Sequence, residues 1–366
     1  MRCRFNIRSV ISLILLSSAS FAFLGCALVG PRSISTGRAD YNAAINKTED
    51  EQMLMAIVKG RYGETTSLLS VNGVAANVRF NTQAGVNFGF GPESNYSGNL
   101  VPFSGSGTYE ENPTITYAPV NGEKYIRQLL SPIELDVLLL IMRAAETHEI
   151  SYLSVLVKQI NDLMNPDFIN VSSAEPAQRF ERFVALNREL HQAGVLYWVA
   201  DQRKEVAFDI YISGYAPVYL GKVREYLTLL DLPMPANPSE EIVLPAYFAI
   251  KRRKGAGIAI STRSTGELVE ILRAAVDIPE QHQANGLTIE YPPLGLSGRK
   301  VRIFSSETKP ARAVVAVKYR GCWFYIDDTD MQTKLFYRLV RTLWSFSIAG
   351  SADRSAAPVL TIPVSR

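Results

Sequence analysis

The stretch Ala313-VVAVKYRGCWFYIDDTDMQTKLFYRL-Val340 packs a strand, a turn, a strand and a helix into one run. Residues 313–319 and 322–327 are rich in Val, Tyr, Trp and Phe, which favour strands, and Arg320-Gly321 between them reads as the turn. Asp328 or Thr329 is expected to cap the helix that follows. Its apolar stripe is Phe336, Leu339, Val340, Leu343 and Phe346, and Gly350 ends it. A hairpin followed by a one-sided helix is a sheet with a helix packed on it, so the chain is expected to be α+β, with a helix-rich middle and antiparallel sheets. In an alternating strand Trp323 and Tyr325 face one way and Phe324 the other, so at least one side is core. Trp323 and Tyr325, with Asp327 and Asp328 beside them, form a candidate interaction surface. Asp327, Asp328 and Asp330 could also hold a metal or work as acid and base. Helix capping and a favourable helix dipole account for them more simply. Cys322 has no obvious base nearby and reads as an inert thiol.

Upstream of this run the chain mixes helices and strands. Ser131-Pro-Ile-Glu134 reads as an N-cap, a first-turn proline and a capping-box glutamate. They open a helix that is apolar all round from Leu135 to Met142 and hence central. Further helices are expected over 150–163, 175–193 and 217–230, with strands at 195–199 and 206–212. Residues 242–250 and 257–261 read as strands around the basic turn Lys251-Arg-Arg-Lys254. Ser264 and Glu267 form a capping box, 279–286 is loop, 300–304 is a strand, and 358–363 closes the chain as a strand. The Pro-rich Leu232-Pro-Met-Pro-Ala-Asn-Pro238 is the best boundary between an α-rich region, 123–232, and a C-terminal α+β region, 239–366.

Region 41–122 differs in character. Thr48 and Glu51 read as a capping box opening a helix to about Tyr62, stopped by Gly63. From Val74 to Phe90 every second residue is apolar or small, including Phe80, Val86, Phe88 and Phe90, while the other parity is, after Ala75, Asn, Arg, Gln and Gly. A second alternation carries Val101, Phe103 and Tyr109. These read as two long strands of an amphipathic β-hairpin near the N-terminus. The apolar face can lie on the protein's own helices. Alternatively it can enter a membrane, with Phe80, Val86, Phe88, Phe90, Phe103 and Tyr109 toward lipid. Two strands cannot close a barrel, so the second reading requires a homo-oligomeric ring.

The N-terminus has its own logic. Arg2, Arg4 and Arg8 precede the mainly apolar run Val10–Leu24, and Phe23-Leu24-Gly25-Cys26 places a small residue directly before a cysteine. Basic start, short apolar run and small residue are the parts of a secretory signal. The segment resembles the lipobox of bacterial lipoproteins, with Phe23 where Leu is usual. That resemblance implies a signal peptide over 1–25, lipid on Cys26, and a tether over 26–40. Several acyl chains anchor a protein stably, at about 0.8 kcal/mol per buried CH₂. Ala27 after the cysteine implies the outer membrane, on its periplasmic face.

Composition narrows the rest. The excess of +3 arises from 38 basic against 35 acidic residues, and the three leader arginines account for it. A near-neutral body argues against nucleic acid as a partner. With three cysteines, Cys3 in the leader and Cys26 lipidated, Cys322 alone is left and no internal disulfide is expected. His148, His191 and His282 lack metal-ligand spacing. The glycines of 85–91 and 104–107 lie in strand patterns with no helix after them, so they make no phosphate cradle. No cofactor and no catalytic residue is expected.

Three blocks carry a further likeness: Tyr41-NAAINKTEDEQMLMAIVKGRYGE-Thr65, Asn112-PTITYAPVNGEKYIRQLLSP-Ile133 and Val315-AVKYRGCWFYIDDTDMQTKLFYRL-Val340. They resemble an uncharacterised group of lipoproteins of Gram-negative proteobacteria. The resemblance implies an envelope location and brings no activity. The expectation is a lipid-anchored structural or interaction component with an envelope protein partner. A pore or secretion-channel subunit and a periplasmic hydrolase are the alternatives.

Overall fold

The structure is a computed structural model that describes residues 29–66, 68–75, 78–86, 103–111, 114–120, 123–144, 151–200, 207–215, 217–235, 237, 241–249, 257–351 and 360–363. The chain forms two units, 1–54 and 55–366. In chain order the elements are α1 (Val29–Arg61), β1 (Leu68–Ala75), β2 (Val78–Val86), β3 (Phe103–Glu111), β4 (Thr114–Val120), α2 (Glu123–Leu130), α3 (Leu135–Ala144), α4 (Tyr152–Leu156), β5 (Val157–Ile160), β6 (Leu163–Met164), α5 (Ala174–Gln192), β7 (Leu196–Ala200), β8 (Phe208–Ile212), α6 (Pro217–Leu229), β9 (Ile242–Phe248), β10 (Ile258–Thr262), α7 (Thr265–Ala274), α8 (Glu280–Ala284), β11 (Phe304–Ser306), β12 (Ala313–Tyr319), β13 (Cys322–Asp327), α9 (Met331–Ser351) and β14 (Leu360–Pro363). The chain is thus of mixed α and β structure.

Helix α1 begins inside the segment expected to be a tether. Pro31 falls in its first turn, where a missing N–H is harmless. Thr48 lies mid-helix, and its hydroxyl donates to Ile45 O at 2.9 Å, so the Thr48–Glu51 pair is not a cap. Strong helix formers from Ala43 to Ala56 carry the helix through it. Gly63 stops it at φ +72°, with Glu64 N donating back to Lys59 O at 2.9 Å.

The larger sheet has strand order β6-β5-β10-β9-β8-β7. It is mixed, not antiparallel throughout: β9 and β10 run parallel, Ile258 beside Ala246 and Ile260 beside Phe248. Gly257 permits the return. It has φ +87°, and a Cβ there would lie 2.2 Å from Pro245 O, so the chain re-enters pressed against β9. Strands β8 and β9 pair across the Pro-rich segment, which therefore joins neighbours of one sheet. Phe208, Ile210, Ile212, Ala246, Ile258 and Ile260 are buried in this sheet, and Phe180 and Phe183 of α5 are buried as well. Phe183 stacks on Tyr226 of α6 at 5.1 Å.

The expected helix over 150–163 is replaced by α4 and β5. Side chains distant in sequence take the carbonyls a helix would use. The Arg263 guanidinium donates to the carbonyls of Ser154, Val155 and Val157. Asn161, at φ +49°, turns the chain and donates to Leu230 O at 2.8 Å. Helix α3 is not apolar-buried all round: Leu138 is enclosed, but Leu140 is 65% exposed. Ser131 does not cap it. The Ser131 hydroxyl donates to Arg127 O at 2.6 Å, at the end of α2. The loop 279–286 contains α8, and the expected strand 300–304 begins only at Phe304.

Near the N-terminus β1 and β14 flank β4, while β2 pairs with β3. Ala75 pairs with Thr114 and Val78 with Glu111, three residues further along both arms, so the two ladders keep one register. A bulge lies between Val71 and Gly73. Phe80 is opposite Tyr109 and Val86 opposite Phe103. Cys26, Phe88 and Phe90 lie outside the described residues.

Candidate functional site

The small sheet, in order β11-β13-β12, is built on the turn Arg320-Gly321, whose φ values of +46° and +89° suit a two-residue hairpin. Register then sorts the residues. Phe324, Ile326, Val315 and Val317 are buried on the inner side, toward the side from which Tyr62 meets Phe324 edge-on at 6.2 Å. Trp323, Tyr325 and Asp327 take the opposite parity, and Trp323 and Tyr325 are half-buried. Phe304 pairs with Tyr325 in register and stacks on it at 5.6 Å. Lys309 Nζ lies 5.6 Å from the Trp323 ring centre, and the Arg302 guanidinium 4.8 Å from that of Phe304. Lys318 is the register partner of Trp323, and Val314 is 46% exposed. The result is a partly exposed aromatic row on one face of the sheet, bordered by cations.

The carboxylates beside it have local duties. Asp327 Oδ1 accepts from Thr329 N at 2.8 Å and from its hydroxyl at 2.5 Å. These bonds hold its carboxyl below the usual carboxylate range. Asp328 pairs with Lys334 at 2.7 Å. The helix cap is Asp330, not Asp328 or Thr329: its carboxylate accepts from Thr333 N at 3.0 Å and Thr333 Oγ1 at 2.6 Å. The geometry therefore joins Trp323, Tyr325 and Asp327 on one face and leaves Asp328 on the turn beyond.

Two clusters had no sequence signal because their members are far apart in the chain. In the first, Tyr62 and His282 Nδ1 share a hydrogen bond of 2.7 Å. Tyr62 meets Tyr319 edge-on at 5.2 Å, and Arg320 donates to Glu64 at 2.8 Å and to Tyr319 Oη at 3.0 Å. Burial, with the neighbouring Cys322 adding to it, pushes the Tyr62 hydroxyl up to about 12. This network ties the end of α1 to the β12–β13 turn. Cys322 is a half-buried free thiol beside it. The second cluster lines a cavity of about 250 Å³ between α4, α5, the 296–301 loop and the start of α9. Ser297 in its wall is 5% exposed, and its hydroxyl has no hydrogen-bond partner among the described residues.

Among the described residues no group of three or more His, Cys, Asp or Glu could hold a metal ion, and no helix is long and apolar enough to cross a membrane. No protein-family model, no curated protein and no solved structure matches the chain.

Proposed function

We propose that the protein is an envelope component, anchored at the outer membrane through lipid on Cys26, whose periplasmic body docks a protein partner on the aromatic face of the small sheet. The observation that carries the docking reading is the row Phe304, Tyr325 and Trp323, half-buried on one face of the sheet and bordered by Lys309 and Arg302. Tyr, Trp and Arg are the residues that concentrate binding energy at interfaces. Asp327, Asp328 and Asp330 are engaged in the turn and cap, which favours binding over a hydrolytic role for them. The test places a photo-crosslinking residue at Trp323 or Tyr325 of the full lipidated chain, with exposed Glu280 as control. A discrete adduct at 323 and 325 but not at 280 is expected. Absence of any adduct at all three, with membrane association intact, removes the docking face. Unchanged processing and fractionation of Cys26→Ser removes the anchor.

A channel subunit is the second reading, and the register of β2 and β3 favours it. Each strand has nine residues, close to the roughly 9–11 that span a bilayer. Their pairing aligns the apolar parity of both strands, Phe80 with Tyr109 and Val86 with Phe103, and the polar parity likewise, Asn81 with Thr108. A one-residue slip would mix the faces. Environment-sensitive labels at Phe80, Val86 and Phe88 then report lipid, and labels at Asn77 and Asn81 report water. Water at all five positions excludes insertion.

A further inference from the structure

The cavity beneath the 296–301 loop combines three features that a plain packing defect lacks. The first is a buried hydroxyl held in place without a partner. Gly295 and Gly298 bracket Leu296-Ser297 and are both pinned: a Cβ on Gly295 would lie 2.1 Å from Pro166 O, and one on Gly298 2.5 Å from Ile271 Cγ2. Gly295 N donates to Asp167 O at 2.7 Å and Arg299 N to Gly295 O at 2.9 Å, closing the turn. Ser297 is thus fixed with its hydroxyl unused, an arrangement costly in a native interior.

The second feature is charge. Four charged side chains line the cavity: Glu181, Arg188, Arg299 and Lys300. Arg299 answers Glu181 with two hydrogen bonds, one of them 3.0 Å, and the pair is self-neutralising. The carboxylate raises the Arg299 guanidinium further above its ordinary range. Arg188 and Lys300, both exposed, have no ion-pair partner among the described residues, so the lining of the cavity carries an excess of two positive charges. The third feature is size and an apolar part of the lining. A single bridging water needs only about 10–15 Å³ of cavity, against about 250 Å³ here. Val184, Val301 and Phe336 supply apolar surface to its lining.

We propose that this cavity binds a small phosphorylated organic molecule, its phosphoryl oxygens taken by Arg188, Lys300 and the Ser297 hydroxyl and its carbon portion by Val184, Val301 and Phe336. Two cations from separate elements plus a neutral donor suit a dianion with three outer oxygens. A carboxylate has two oxygens and is met by one guanidinium fork, as Glu181 already is. The ligand is either a free phosphomonoester or the headgroup of a phospholipid, and the proposal does not depend on the docking face or the anchor.

The experiment is calorimetric titration of the full chain in detergent with phenyl phosphate, benzoate and dihexanoyl phosphatidic acid. Saturable one-to-one binding of phenyl phosphate, weakened by salt and stronger than that of benzoate, is expected. Arg188→Gln/Lys300→Gln should weaken it by at least tenfold, and Ser297→Ala by about tenfold. The apparent melting temperature of Ser297→Ala without ligand should stay level or rise, since an unpaired buried hydroxyl has gone. A role in packing alone predicts the opposite on both counts. Binding of phosphatidic acid without phenyl phosphate, lost in the double variant, identifies the lipid headgroup as the source. No binding of either phosphoryl compound at millimolar concentration overturns the proposal. So does benzoate binding as tightly as phenyl phosphate, or full affinity in Arg188→Gln/Lys300→Gln.

Discussion

Replacing Arg263 by Met should be among the most damaging single changes to the body of this protein. Arg263 is fully enclosed. Its guanidinium donates to Asp167 Oδ1 at 2.5 Å and to the carbonyls of Ser154 at 3.2 Å, Val155 at 2.9 Å, Val157 at 2.8 Å and Asn165 at 2.7 Å. Asn165 Nδ2 also serves Ser154 O and Val157 O, so those two keep a partner in the variant. Val155 O, Asn165 O and the Asp167 carboxylate lose theirs. Removing one member of a buried pair typically costs about 3–5 kcal/mol, much of it the penalty of the charge left behind. A loss of about 4 kcal/mol is expected, a large fraction of the roughly 5–15 kcal/mol that holds a domain folded. Urea unfolding followed by tryptophan fluorescence measures it. Arg263→Lys keeps a charge but not the fork, and should fall between Met and wild type. Arg263→Met/Asp167→Leu should recover part of the loss, because the stranded carboxylate has gone. A stability of Arg263→Met within about 1 kcal/mol of wild type, or strict additivity in the double variant, refutes this account.

Asp330→Ala should cost about 1 kcal/mol through loss of the α9 cap, while Asp328→Ala, whose ion pair is exposed, should stay within about 0.5 kcal/mol; urea midpoints of the two variants decide which aspartate is the cap. Glu267 is pushed up by burial, but the Lys158 bond and the Ser264 backbone bond outweigh this and leave its carboxyl below the ordinary range. Its stabilisation is thus present above the unfolded value of about 4.3 and is lost as pH falls through the lower folded value. The melting gap between wild type and Glu267→Gln should be open at pH 6 and closed in strong acid; a gap that persists there contradicts this. For Tyr62 the sign is reversed, because burial raises its hydroxyl to about 12. Its contribution is complete below the unfolded value of about 10 and fades as pH rises through the folded one. Ultraviolet titration of Tyr62→Phe should therefore lack one late-ionising tyrosine, and an unchanged late step would show that Tyr62 ionises normally.

Where a local pattern and its tertiary setting agree, the sequence was sufficient. The Ser264–Glu267 capping box is present with both reciprocal bonds, and the alternation around Trp323 places Phe324 inward. The errors are equally specific. Thr48–Glu51 has the same spacing as Ser264–Glu267, but strong helix formers on both sides override it. Residues 157–160 leave the expected helix for a sheet, with Arg263 more than a hundred residues away taking carbonyls of the 154–157 stretch. The parallel pairing of β9 and β10 depends on the close approach of Gly257 to Pro245, which no periodicity records.

By itself the sequence determined what short-range physics decides. The mixed α and β character, the buried stripe Phe336, Leu339, Val340 and Leu343 of α9 and the β12–β13 turn are set by residue type at fixed spacing along one chain; Phe346, read into the same stripe, is instead 72% exposed. The tertiary structure alone decided what depends on groups remote in sequence: the arginine at the centre of the β5–β10 junction, the Tyr62–His282 contact, the strand order, and the Ser297 cavity lined by Arg188 and Lys300. Burial, pairing and cavity shape are properties of which distant segments meet, and that meeting is settled only when the whole core packs.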